Sequence, residues 1–161
     1  MTERINLKAA LIAAVAAAAV FIILEMMLVM VVAGDSPWAP PRMIAAIVMG
    51  RNVLPPPATF DIGIMVAGMA VHFALAISYG VIFGFAAAAL GLRPGSAAVG
   101  GLGFGVALYL VNFYLFTGLF PWFSMARNWM SLLAHAVFGI VLALVYVRAA
   151  SPAPRGTTSP V

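Results

Sequence analysis

Four long apolar runs, separated by short polar or proline-rich breaks, set the pattern of this chain. They cover residues 9–33, 62–90, 96–119 and 128–147. The first is apolar throughout except for Glu25. Runs of 18 or more apolar residues are long enough to cross the hydrocarbon core of a bilayer as helices. The pattern therefore predicts an all-α, polytopic membrane protein with four transmembrane helices in a bundle, forming a single domain over residues 1–150. A secretory signal peptide is the rival reading of the first run, since Arg4 and Lys8 precede it and Val31-Val32-Ala33 resembles a cleavage site. The run is longer than the usual apolar region of about 7 to 15 residues, which favours a retained span.

The breaks are informative too. Between the first two spans, prolines at positions 40 and 41 and at 55 to 57 fence in residues 41–51. Met43, Ile44, Ile47 and Val48 give this piece an apolar face, and Pro41 suits a first helical turn. It is too short to span, so a short interfacial helix is expected, with Trp38 as an anchor at the membrane surface. Gly91 to Gly95 reads as a tight turn. Phe120-Pro121-Trp122-Phe123 reads as an aromatic belt facing the headgroups. Residues 151–161, with three prolines and no apolar run, read as a disordered tail.

With four spans, both termini share a side. That side carries Arg4, Lys8, Arg93, Arg148 and Arg155, against Arg42, Arg51 and Arg127 on the other. The positive-inside rule then predicts cytoplasmic N and C termini. In this frame Glu25, His72, Asn112 and His135, one from each span, fall at a common depth, roughly 9 to 16 Å below the outer surface at about 1.5 Å per residue. Ionisable groups inside a membrane are costly and normally turn inward toward partners. His72 lies in a stripe of small residues, Gly68, Ala76, Gly80 and Gly84, and His135 lies in a second stripe, Ser131, Gly139 and Ala143. Such stripes are where membrane helices touch. The repeated arrangement suggests that spans one and two correspond to three and four, with the two histidines facing each other across the bundle.

This polar layer admits several chemistries. The histidines could serve as interhelical hydrogen-bond partners, as a site for an ion or solute, or as paired ligands of a b-type haem. Apart from Met1, every methionine falls in the outer half of the predicted fold. Met69 lies three residues before His72, so thioether and imidazole donors make a copper site with His72, His135 and Met69 chemically reasonable.

Composition narrows the remaining classes. The chain is 65% hydrophobic and 7% charged, far from a soluble domain, and its net charge of +4 is spread thinly rather than gathered into a nucleic-acid-binding stripe. No cysteine is present, which excludes disulfides and thiolate chemistry. The glycines at 100, 101, 103 and 105 lack phosphate-loop spacing and read as a helix-packing face. Ser78 and Ser131 lie in spans without any nucleophile motif around them, so no catalytic residue is expected.

Several runs together resemble a known group. They are Pro41-Arg42-Met43-Ile44-Ala45-Ala46, Val53-Leu54-Pro55-Pro56-Pro57-Ala58-Thr59-Phe60-Asp61, His72 with Tyr79-Gly80, and Leu110-Val111-Asn112-Phe113-Tyr114. Phe120 to Phe123, Ala126-Arg127-Asn128-Trp129, and His135 with Phe138-Gly139 complete the set. Over about residues 38–147 the chain resembles a family of small bacterial inner-membrane proteins, without an established activity, that often carry an automatic sodium:proline symporter label. The resemblance implies an inner-membrane helical fold and transfers no residue roles, since the chain has no counterpart of the broken-helix sodium site such symporters use. Three function classes stay open: binding or passing a small ion, metal or solute; electron transfer through haem; and a non-catalytic structural or assembly subunit of a larger membrane complex, docking through the glycine-rich third span, with a homo-oligomer open as well.

Overall fold

The computed structural model describes residues 5–151, so the expected tail at 152–161 and residues 1–4 lie outside the described part. Within it the chain forms five α-helices and no strand: α1 Leu7–Leu28, α2 Ala39–Met49, α3 Ile62–Ala89, α4 Ala97–Leu110 and α5 Trp129–Ala150. Two of them continue beyond their regular part. A π-helical turn at Val29–Ala33 extends α1, and a π-helical turn at Val111–Leu115 followed by a 3₁₀ turn at Phe116–Gly118 extends α4. The four segments Leu7–Ala33, Ile62–Ala89, Ala97–Gly118 and Trp129–Ala150 are each long and apolar enough to cross a membrane. The protein is a multi-pass membrane bundle, as the hydropathy pattern predicts.

The helix starts follow from local chemistry. Asn6, Asp61 and Asn128 cap α1, α3 and α5, each accepting a backbone N–H three residues on, at 3.0, 2.9 and 3.0 Å. A capping side chain satisfies one of the amides that a helix leaves unpaired at its start. Pro40 and Pro41 stand in the first turn of α2, where their missing N–H costs nothing. At the far end of α1, Gly34 adopts the left-handed conformation, φ 69°, that closes the π turn.

Small residues decide the helix order. On α1, Ala9, Ala10, Ala13, Ala14, Ala17 and Ala18 are all buried. This doubled i, i+4 spacing makes two adjoining stripes, and α1 indeed packs against two neighbours, α3 and α5. Gly80 of α3 lies directly against Ala14 and the carbonyl of Ala10. On the other side of α5, Gly101 and Gly105 of α4 press onto the backbone of α5 at Gly139 and His135. In lipid no hydrophobic force draws helices together, so close backbone approach of this kind supplies the van der Waals energy instead.

Two sequence expectations change here. The histidine helices α3 and α5 barely touch, because α1 lies against both, so His72 and His135 do not face each other directly. Gly101 and Gly105 are spent on α5, inside the chain, and do not form a free docking face. Glycine stripes mark close approach without saying to which partner.

The segment α2 is not a free interfacial helix. It packs on α3 where Gly68 lies against the carbonyl of Pro41 and the side chain of Ala45. Arg42 then reaches back to the loop before α3, its Nε and Nη2 donating to the carbonyl of Thr59 at 3.0 and 2.8 Å and its Nη1 to that of Val53 at 2.9 Å. From the other side Trp122 is 8% exposed and donates its indole N–H to the carbonyl of Met43 at 3.0 Å. The expected aromatic belt is thus folded inward as a 3₁₀ segment, Pro121–Ala126, because the indole nitrogen finds its partner on α2.

Candidate functional site

The polar residues singled out by depth come together at the end of the bundle that α2 covers. Glu25, His72 and His135 are 7%, 8% and 5% exposed, and Ser131 is completely buried. Buried polar groups need partners, and four of these spans supply them in one connected set. The Tyr79 hydroxyl of α3 donates to Oδ1 of Asn112 at 2.7 Å. Asn112, in the π turn after α4, donates its amide to Nε2 of His135 at 3.1 Å. His135 Nδ1 donates to the carbonyl of Ser131 one turn back on α5, at 2.7 Å. The Ser131 hydroxyl donates to Oε1 of Glu25 on α1 at 2.6 Å. These partners assign His135 as the neutral Nδ1–H tautomer.

The set is oriented, and it is interrupted at one place. Each donor hands on toward Glu25, yet at Ser131 the carbonyl accepts and the separate hydroxyl donates. A proton arriving at the carbonyl has no covalent route to the hydroxyl. The network therefore fixes tautomer and side-chain direction and is not a continuous proton wire.

His72 stands apart from it. Its Nε2 donates to the carbonyl of Ala18 on α1 at 3.0 Å, a second bond that a carbonyl oxygen already used in a helix can accept. The link between the two histidines is Phe21 of α1. Its ring lies 5.5 Å from the His72 ring in a stacked arrangement and 4.8 Å from the His135 ring edge-on. His72, His135, Phe21, Tyr79 and Asn112 share a cavity of about 50 Å³, space for a water molecule or two at about 30 Å³ each. A macrocycle does not fit there, and both Nε2 atoms are engaged, so paired haem ligation has no room between these rings. Met69 lines neither this cavity nor the larger one, and among the described residues no cluster of three or more His, Asp or Glu gathers as metal ligands.

The larger cavity, about 650 Å³, opens beneath α2, a size typical of sites for drug-sized molecules. Met43, Ile44 and Ile47 of α2 form its cover, and Phe21 and Val29 form its α1 wall. Phe113 and Phe116 beyond α4, and Phe120 and Phe123 before α5, close the rest, with Glu25, Ser131, His135 and Asn112 at the polar side. Both π turns border it, through Val29 and Ala33 and through Asn112 and Phe113. Such turns break helical register and are frequent at functional sites. Arg127 supports the second of them, donating to the carbonyl of Phe113 at 2.5 Å and to Thr117 at 2.8 Å while its guanidinium lies 4.6 Å from the Tyr114 ring centre.

One atom in this site lacks a partner. Glu25 Oε2 is the buried side-chain oxygen or nitrogen that has no hydrogen bond among the described residues, and Glu25 lines the large cavity.

Sequence reasoning located Glu25, His72, Asn112 and His135 and the structure joins three of them, with His72 attached through Phe21. It missed Ser131 as the bridge, Tyr79 as the first donor, and the phenylalanine walls. The i−4 position of Ser131 relative to His135 was the available signal for the first of these. No family model, curated protein or solved structure matches the chain.

Proposed function

We propose that this chain is a multi-pass protein of the bacterial inner (plasma) membrane that binds a small, mainly apolar solute in the cavity beneath α2, with Glu25 orienting it. The observation that carries the reading is the unpartnered Oε2 of a buried carboxylate on the wall of an otherwise apolar cavity of about 650 Å³. A buried carboxylate oxygen without a donor costs free energy. A ligand that brings a donor or a positive charge removes that cost, and so gains affinity at one defined point. The oriented network from Tyr79 to Ser131 holds the other oxygen in place, which gives the site the preorganisation that binding rewards.

Placement in the membrane follows the charges. Lys8, Arg93 and Arg148 lie toward the α3–α4 turn, and Arg42, Arg51 and Arg127 toward α2. Counted along the sequence, Arg4 and Arg155 flank the same two termini as Lys8 and Arg148, so the positive-inside rule favours cytoplasmic termini and an outward-facing α2. The resemblance to small bacterial inner-membrane proteins supports the same placement.

The test uses the purified chain in nanodiscs with aminoanthracene, a neutral apolar fluorophore. Saturable binding above protein-free discs is expected, and Ile44→Trp, which places an indole in the cavity, should remove it. Binding that does not saturate, or that Ile44→Trp leaves intact, would overturn the proposal.

A further inference from the structure

Resting on that reading, the structure assigns the ligand a chemical class: we propose that the cavity takes a lipophilic organic cation, a protonated amine or onium group carried on an apolar body. Charge is the first argument. The chain has only four acidic residues against eight basic ones. Glu3 lies outside the described residues and Asp61 caps α3. The remaining two, Glu25 and Asp35, both line the large cavity, and no lysine or arginine does. In a net basic protein, this concave surface is lined by acidic and not by basic side chains. Of the two, Asp35 is exposed, on the loop after α1, and Glu25 is buried.

The walls choose among cations. A hard metal ion needs six or more oxygen ligands, and this lining is mostly apolar, aliphatic side chains together with Phe21, Phe113, Phe116, Phe120 and Phe123. Aromatic faces attract a cation whose charge is dispersed and weakly hydrated, which is how quaternary ammonium groups are held. An anion would meet two carboxylates, and a sugar or other polyhydroxy solute would find too few partners for its hydroxyls. Arg127, whose chain neighbours Ala126 and Asn128 line the cavity, is committed to Phe113, Thr117 and the Tyr114 ring. The free oxygen of Glu25 is therefore left for a positive group from outside the chain.

The experiment is a competition against aminoanthracene on the full chain in nanodiscs, comparing tetraphenylphosphonium with its neutral relative triphenylphosphine. The cation should displace the fluorophore at a concentration about tenfold lower than the neutral compound, the scale of a desolvated cation–π contact together with a charge pair. Glu25→Gln, which keeps an oxygen for Ser131, should erase that preference, bringing the cation to the potency of the neutral compound. Phe116→Leu, which keeps an apolar wall and removes a ring, should reduce it severalfold. If aminoanthracene binds and the two competitors act alike, or if Glu25→Gln preserves the preference, the cation assignment is wrong while the solute-binding proposal stands. If aminoanthracene itself shows no saturable binding, both are wrong.

Discussion

The two ends of the bundle are built from the same helices by opposite means. Toward the α3–α4 turn, alanine and glycine bring the backbones together, Ala10 and Ala14 against Gly80 and Gly101 against Gly139 and Ala143, and Phe83, Phe104 and Tyr146 fill the space beside them. Backbones touch there and leave no room. Toward α2, the contacts are made by phenylalanines, a serine–glutamate pair and an asparagine–histidine pair, and a cavity of about 650 Å³ remains. The difference teaches how a small membrane protein can hold a void. The close-packed end supplies the cohesion, which lets the other end keep an unfilled space and an unsatisfied carboxylate.

If that division holds, substitutions at the two ends differ in kind. The largest effect belongs to Gly139→Leu. A Cβ at this position collides with the backbone of Gly101 and Gly105, so α4 must separate from α5, at a cost of about 3 kcal/mol. Thermal unfolding in detergent should show a collapse of the midpoint or loss of the monodisperse species. A midpoint equal to that of the wild type would mean that cohesion lies elsewhere.

At the hollow end Ser131→Ala should cost about 1–3 kcal/mol, because it leaves Glu25 without a donor on either oxygen. Adding Glu25→Leu should restore most of the loss, since removing both members of a buried polar pair is far cheaper than removing one. A double-mutant cycle on unfolding free energies reads this directly. Strict additivity of the two changes would dissolve the pair as a structural unit.

The smallest effect sharpens the glycine argument. Gly103→Ala sits in the same helix as Gly101 and Gly105, but no atom lies within 4 Å of the added carbon. Its stability should stay within about 0.5 kcal/mol of the wild type, and a larger loss in the same unfolding assay would show that α4 meets something on that face.

The fold was largely legible because hydropathy reports directly on a bilayer: runs 62–90 and 128–147 differ from α3 and α5 by only a few residues at each end. The common depth of Glu25, Asn112 and His135 was legible for a related reason, since length along a helix converts to depth. What depth cannot convey is rotation about the helix axis and the order of helices around the bundle. That is why His72 and His135 were expected to face each other, when α1 brings Phe21 to both. Trp122 was misplaced for the same reason. Its partner, the carbonyl of Met43, is 79 residues away in sequence, and composition alone assigns such a tryptophan to the surface. The cavity was illegible because it is defined by residues from every segment, including a cover helix that approaches α3 closely at Gly68, opposite Pro41.

The place of α1 between α3 and α5 also sets an order of events during synthesis. Among the four described spans it is made first, and it carries Glu25 and two alanine stripes, yet α5, one of its two neighbours, comes fourth. Until α5 is inserted, half of the alanine surface has no partner and the carboxylate lacks the Ser131 hydroxyl. The nascent bundle is thus committed to waiting for α5, and a ribosome stalled before Trp129 would leave in the bilayer an α1 that is exposed, acidic and open to capture by the insertion machinery or by quality-control proteases.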